Sequence, residues 1–300
     1  MFAELIAASL MLHPTGARDN HWVEEEAAAE RELLFEDDFD SGSLDRDKWI
    51  VIGPDFWVNN EQQVYVDSPD TIQFVSGLEG ADDGALVLKP KWAPGTEVPG
   101  VRSADFISGR IETKGKWDFT YGRAEARIKM TDHVGVWPAW WLLGNGQWPE
   151  TGEIDILEYV GEKDWIGVAI HGPGYSGDKA PVNRHYFKDG EDVTGWHVYA
   201  VEWTADEMVF YVNDEVVYRA TRRTVGWLGG EWRFDNPKHL ILNFAVGGVY
   251  PAKVNMIEEP YYGLPQESVD AIKTGEAAMY VDWVRVYAPE TEQPEPTTEY

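Results

Sequence analysis

No cysteine occurs in the 300 residues. Disulfides and thiol chemistry are therefore excluded, and the chain has to be held together by a large apolar core. No stretch of 18 apolar residues occurs either, so nothing reads as a membrane span. Basic residues are scarce, 25 Lys and Arg against 53 Asp and Glu, for a formal net charge of −28. A phosphate backbone or an anionic membrane needs basic neutralisation, which excludes nucleic acid and membrane as partners. A polyanionic substrate would be repelled unless Arg102, Arg110, Arg123 and Arg184 gather in a cleft, whereas a neutral polymer meets no such barrier. Self-repulsion of this size predicts a melting temperature that rises with salt, as suits a high-salt source. Helical periodicity is also sparse, and only Gln266 to Lys273 reads as a short helix.

What is present is a long series of short strand patterns. Candidates are Ala85 to Lys89, Gly109 to Lys114, Ala124 to Met130, Ile154 to Tyr159, Val198 to Thr204, Met208 to Tyr218, Leu240 to Val246 and Tyr280 to Tyr287, with a hairpin turn at Asn213-Asp214. Strands joined by Gly, Pro and Asp loops, with no helix between each pair, predict an all-β antiparallel sandwich. Residues 1–32 read as a leader and 289–300 as a Pro/Glu/Thr-rich tail, leaving 33–288 as one large domain. The first twelve residues contain an apolar run but carry Glu4 and lack a basic flank, a poor match to a signal peptide.

The chemistry is concentrated in Trp148-Pro-Glu-Thr-Gly-Glu-Ile-Asp-Ile-Leu-Glu-Tyr-Val-Gly161, where Glu153, Asp155 and Glu158 alternate with aliphatic residues. Spacing alone proves little, since the acidic content gives roughly 1.6 chance matches to acid-x-acid-x-x-acid. Glu290, Glu292 and Glu295 are one such match, in the tail and without apolar neighbours. In a half-buried strand the same spacing needs a reason, because an ionisable group costs stability in apolar surroundings. Glu153 and Asp155 share a face, but Glu158 is five residues from Glu153 and would point to the other one. A β-bulge at Ile156 or Leu157 restores the parity and predicts a concave sheet with both glutamates on one side. Two carboxyl groups about 5 to 5.5 Å apart suit a retaining double displacement at a glycosidic bond. Glu153 would be the nucleophile, Glu158 the acid/base, and Asp155 the neighbour that keeps the two in different protonation states.

Six blocks in order, Asn59-Asn-Glu-Gln-Gln63, Ser108-Gly-Arg-Ile-Glu-Thr-Lys-Gly115 continuing in Tyr121-Gly-Arg-Ala-Glu-Ala-Arg127, Trp137-Pro-Ala-Trp-Trp-Leu-Leu-Gly144, the Glu153 to Glu158 motif, Trp196-His-Val-Tyr-Ala-Val-Glu-Trp-Thr204 and Leu242-Asn-Phe-Ala-Val-Gly-Gly248, together resemble the laminarinase-type (endo-1,3-β-glucanase) branch of glycoside hydrolase family 16. The likeness runs from about Leu33 to Tyr287. It implies a concanavalin A-like jelly roll with a concave catalytic cleft, acting on β-1,3-linked or mixed-linkage glucan without a catalytic cofactor. Relatives in the family also cleave galactans such as agar and carrageenan, and some transfer rather than hydrolyse. The usual Gly-Gly-Asn-Trp-Pro-Gly run is here Gly247-Gly-Val-Tyr-Pro-Ala252. The resemblance further assigns Asn60, Arg110 and Asn243 to sugar hydroxyls and His171 to the strand beside the catalytic one. It also assigns Asp38, Asp282 and a backbone oxygen near Gly84 to a structural calcium. A non-catalytic carbohydrate-binding sandwich is the rival class, but it has no need of both glutamates.

Fifteen tryptophans are a heavy load, and indoles stack on the apolar faces of sugar rings. Trp148, beside the motif, is expected to line the cleft. Trp137, Trp140 and Trp141 are expected to pack, with room for one to meet substrate, and Trp196, Trp203 and Trp283 to lie in the core. A polymer too large to enter a cell places the action outside it.

Overall fold

A computed structural model describes residues 31–98 and 102–290, so nearly all of the expected leader and tail lie outside the described residues. In chain order the strands are β1 (Leu33–Asp37), β2 (Ile50–Val51), β3 (Gln63–Tyr65), β4 (Ile72–Ser76), β5 (Gly84–Leu88), β6 (Lys91–Val98), β7 (Arg102–Ser108), β8 (Arg110–Glu112), β9 (Gly122–Met130), β10 (Val136–Gly144), β11 (Glu153–Glu158), β12 (Trp165–His171), β13 (Val182–Tyr186), β14 (His197–Trp203), β15 (Glu207–Val212), β16 (Glu215–Thr221), β17 (Lys238–Val246) and β18 (Met279–Tyr287). Two sheets carry the sandwich. One runs β13-β12-β11-β10-β17-β8-β2, the other β16-β15-β14-β9-β18-β5-β4 with β1 also on β18, and a small sheet β3-β7-β6 adds the fold's parallel pair, β3 with β7.

Alternation in the sequence decides which face each sheet buries. Along β9 the small and aliphatic Ala124, Ala126, Ile128 and Met130 turn inward, and Arg123, Glu125, Arg127 and Lys129 turn out. Trp140, Leu142, Ile154, Leu240 and Leu242 meet them from the other sheet in one continuous core. Each such side chain contributes about 1.5–3 kcal/mol on burial. β17 is buried along its whole length, which marks it as a central strand covered on both faces.

All eight strand candidates correspond to observed strands, and Met208 to Tyr218 resolves into the hairpin β15–β16. At its turn Asn213 and Asp214 take φ of 49° and 65°, as a two-residue turn with positive φ at both positions requires. The expected helix appears as α3 (Gln266–Thr274), but two short helices were not anticipated, α1 (Arg222–Trp227) and α2 (Val249–Asn255). α2 follows a sharp reversal at Gly247 and Gly248; a Cβ on Gly247 would meet the Tyr262 carbonyl at 2.4 Å. Only glycine allows that approach, and it lays α2 beside the concave face.

Trp203 and Trp283 are buried as expected. Trp196 is not a core residue. It is half-buried on the convex sheet, where its Nε1 donates to the Glu79 carbonyl (3.1 Å) and its ring lies under Arg127 and Lys129.

Candidate active site

The catalytic-motif strand carries the extra residue that parity demanded. Against β10 the pairs run Ala139↔Glu158 and Trp140↔Leu157, then jump to Trp141↔Asp155, skipping Ile156. Against β12, Asp155↔Ala169 is followed by Glu158↔Gly167, three residues of β11 spanning two of its neighbour. Ile156 and Leu157 both sink into the core, 1% and 0% exposed. Glu158 thereby returns to the face of Glu153 and Asp155. All three carboxylates line a cavity of ≈ 290 Å³ together with Phe56, Asn59, Glu61, Arg110, Trp137, Trp141, Trp148 and Asn243.

Burial pushes Glu153, Asp155 and Glu158 each up to about 8, and mutual repulsion with Asp155 adds to the rise of both glutamates. Three such neighbours cannot all ionise near neutrality, so the cluster retains protons. His171 opposes the trend. It stands across from Glu153 on β12, with Nε2 3.7 Å from Glu153 Oε1 and 3.2 Å from Asp155 Oδ2. The Gly177 N–H donates to its Nδ1 (3.1 Å), which leaves the Nε2 proton for the acids. That contact to Asp155 is at ion-pair distance but not aligned as a hydrogen bond, so Asp155 Oδ2 is buried without a partner. Trp137 Nε1 donates to Glu158 Oε1 (3.0 Å).

The expected sugar-binding residues are placed unevenly. Trp148 stands at the rim, 46% exposed, with its ring 6.2 Å from that of His171. Asn243 accepts from Trp141 Nε1 (2.7 Å) and donates to the Tyr65 hydroxyl (3.1 Å). Arg110 reaches the cavity but is committed to Glu112 (Nε to Oε1, 2.7 Å) and lies over the rings of Phe56 and Trp141. Asn60 does not line the cavity: it is exposed, its carbonyl accepts from the Gln62 side chain (2.6 Å), and its neighbour Asn59 takes the lining position. Trp140 packs in the core, whereas Trp137 and Trp141 both face the cleft; alternation along β10 sends odd and even residues to opposite sides.

Two buried charged groups had not been singled out. Glu61 lies within the Asn59 to Gln63 block and accepts from Gln63 Nε2 (2.7 Å); burial raises its pKa. Lys238, brought down to about 7 by burial, donates to the carbonyls of Thr151 (2.8 Å), Arg233 and Asn236 and to Asn236 Oδ1. It thus fastens the loop two residues before Glu153. A lysine opening a β-strand gives no sequence signal for this.

The expected calcium set does not fit. The Asp282 carboxylate, 1% exposed, is taken by the Arg127 guanidinium and by the Asp82 N–H (3.0 Å). Asp38 is turned to the Asp40 N–H (3.2 Å), and the Gly84 N–H donates to Asp40 Oδ1 (2.7 Å). Arg127 supplies the positive charge that an ion would bring. Within the cleft, Glu153, Asp155 and His171 do hold three potential ligand atoms within 4.8 Å of one another.

A concave sheet bearing an aromatic-walled cavity over two carboxyl groups defines a carbohydrate-cleaving β-sandwich, a glycosidase. The chain belongs to the glycosyl hydrolases family 16, whose model matches residues 59–284. It is 30% identical to a β-glucanase of Rhodothermus marinus over 96% of this chain and 92% of the relative. A crystal structure of an endo-β-1,3-glucanase from Pyrococcus furiosus matches with a TM-score of 0.71 and 30% identity, covering 85% of this chain and 94% of that one. A β-1,3-glucan-binding protein of Penaeus monodon is 31% identical over 95% of this chain and 99% of its own length.

Proposed function

We propose that the chain is a retaining, endo-acting hydrolase of β-1,3-linked or mixed-linkage glucan that acts outside the cell. The bulge at Ile156 supports this most directly, because it puts two acids with raised pKa on one face of a cavity. Glu153, with Oε1 3.7 Å from His171 Nε2, ionises and attacks the anomeric carbon. Glu158, held by Trp137, gives its proton to the departing oxygen and then takes one from the water that releases the sugar. Asp155, with no hydrogen-bonded partner of its own at Oδ2, keeps a proton in the cluster and so keeps the two glutamates in different states. Indoles of Trp141 and Trp148 and the amide of Asn243 hold the bound unit. The steps are carried by carboxyl groups alone and need no cofactor.

The glucan-binding relative shares the fold, so likeness by itself does not separate binding from cleavage. Incubation with laminarin, mixed-linkage glucan, agarose and galactan, with product anomers read by NMR, does. Laminarin is expected to yield oligosaccharides whose first-formed reducing ends are β. First-formed α-anomers would overturn double displacement, turnover confined to agarose or galactan would overturn the glucan assignment, and binding without turnover of any polymer would overturn the enzyme.

A further inference from the structure

The strand register lays a row of residues across the concave face: Arg110↔Asn243, Asn243↔Ala139, Ala139↔Glu158, Glu158↔Gly167 and Gly167↔Arg184. Directly opposed residues point to the same face, so Glu158 divides this row into two halves. Towards Arg110 lies the cavity. Towards Arg184 the row passes the small residues Gly167 and Ala169, and ends at the edge strand β13, whose Val182, Arg184 and Tyr186 are exposed on its alternating pattern.

We propose that Arg184, Tyr186 and Tyr250, at the β13 end of the row beyond Gly167, form the subsite that holds a neutral pyranose unit of the departing chain. The proposal rests on the roles given above to Glu153 and Glu158. The covalently held sugar has to stay through the second step, which suits the aromatic-walled cavity, and the other product has to leave, which suits the exposed edge strand.

Each residue is prepared for that task. The Arg184 guanidinium lies over the Trp165 ring, 4.0 Å from its centre, and makes no ion pair among the described residues in a chain that carries 53 acids. A planar fork fixed on an indole presents its N–H edges to vicinal hydroxyls. Tyr186, 6.5 Å from the same indole, adds an exposed ring for the apolar face of a sugar. Tyr250 meets Trp137 edge-on at 5.5 Å and stands within electrostatic reach of both Glu158 and Arg184. A Cβ at Gly167 would lie 3.4 Å from the Tyr250 hydroxyl and 3.8 Å from Glu158 Cβ, so Gly167 sits between the tyrosine and the acid/base. Tyr250 is also a position at which the Gly247 to Ala252 run departs from the pattern it resembles. A single arginine at this edge, on a protein of charge −28, selects a neutral unit rather than a sulfated or uronic one.

Two substrates separate this half from the other. Laminarin spans both, whereas an aryl glycoside of a β-1,3-gluco-oligosaccharide replaces the departing sugars with an aryl group. In Arg184→Ala the ratio of kcat/KM on laminarin to kcat/KM on the aryl glycoside is expected to fall about tenfold, the worth of one charge-assisted hydrogen bond. Arg184→Met, which keeps the packing on Trp165, is expected to show the same fall at unchanged Tm, and Tyr186→Ala a smaller one. An unchanged ratio in Arg184→Met overturns the subsite. A ratio that rises, because the aryl glycoside suffers more, overturns it too by moving β13 to the other half. A wild type that cleaves neither substrate overturns the roles of the two glutamates and the subsite with them.

Discussion

The outward faces of the two large sheets use the same residue types to opposite ends. On the convex face the register sets opposite charges against each other, Glu36↔Arg285, Arg285↔Glu125 and Arg123↔Glu202, and the side chains close into ion pairs such as Arg285 to Glu36 at 2.8 Å and Arg123 to Glu125 at 2.9 Å. On the concave face Glu158 is flanked by Ala139 and Gly167, and Asp155 by Trp141 and Ala169. Small and aromatic residues flank those carboxylates, and no Lys or Arg pairs with either among the described residues. A charge matched across the strands is surface; the same charge left unmatched over an apolar floor is chemistry.

The largest effect should come from removing an unmatched acid. Glu153→Gln and Glu158→Gln are each expected to lower turnover by about four orders of magnitude. Stability moves the other way. Burial raises these carboxyls from 4.5, 3.8 and 4.5 to about 8, so the folded chain holds protons that the unfolded chain has shed, and the cluster's contribution to stability falls as pH climbs through that window. Glu153→Gln should therefore melt above wild type at pH 8 and level with it at pH 4. A variant that melts lower at pH 8 would place Glu153 among the matched charges.

The matched face has one deep exception. Asp282 is buried and depends on Arg127, so Arg127→Ala strands a charge and is expected to cost about 3 kcal/mol in urea unfolding. With the arginine in place of an ion, a chelator should leave the wild-type melting curve where it is. A fall in Tm on chelation would restore the calcium that Asp38, Gly84 and Asp282 had suggested.

How legible these faces were in the sequence depended on whether one strand held the information. Glu153, Asp155 and Glu158 lie on a single strand, so side-chain parity alone demanded the bulge, and it is there. Strands with clean alternation, such as β9 and β14, could be drawn from their residues. Edge strand β13 could not, because Val182 to Tyr186 mixes one aliphatic residue with polar ones and acquires strand geometry only from pairing with β12. Trp196 reads as core by pattern, but only tertiary structure brings Arg127 and Lys129 over it and keeps it at the surface. Asn60 against Asn59, and Lys238 beneath Thr151, turn on loop geometry that no spacing encodes.

His171 tests the boundary between the faces, as the side chain set directly against Glu153 and Asp155. Its charge lowers both Glu153 and Glu158. His171→Gln removes that support, so the acid limb of the kcat profile, which reports ionisation of the nucleophile, is expected to move to higher pH. At pH 6 kcat should fall about tenfold with little change in KM, and part of it should return as the pH is raised. A uniform fall at every pH would reduce His171 to packing.

The smallest effect belongs to the matched face itself. Glu36→Gln keeps the shape of the side chain and leaves Arg285 stacked on Trp283, so it isolates the ion pair from the packing around it. Both partners are partly exposed, 41% and 30%, and water screens what they gain from each other. The expected cost is under about 1 kcal/mol, smaller still in molar salt, with turnover untouched. Should Glu36→Gln instead cost more than about 2 kcal/mol, or slow the enzyme, the two faces would no longer differ in kind, because a charge matched across strands would be carrying energy that only a desolvated one should carry.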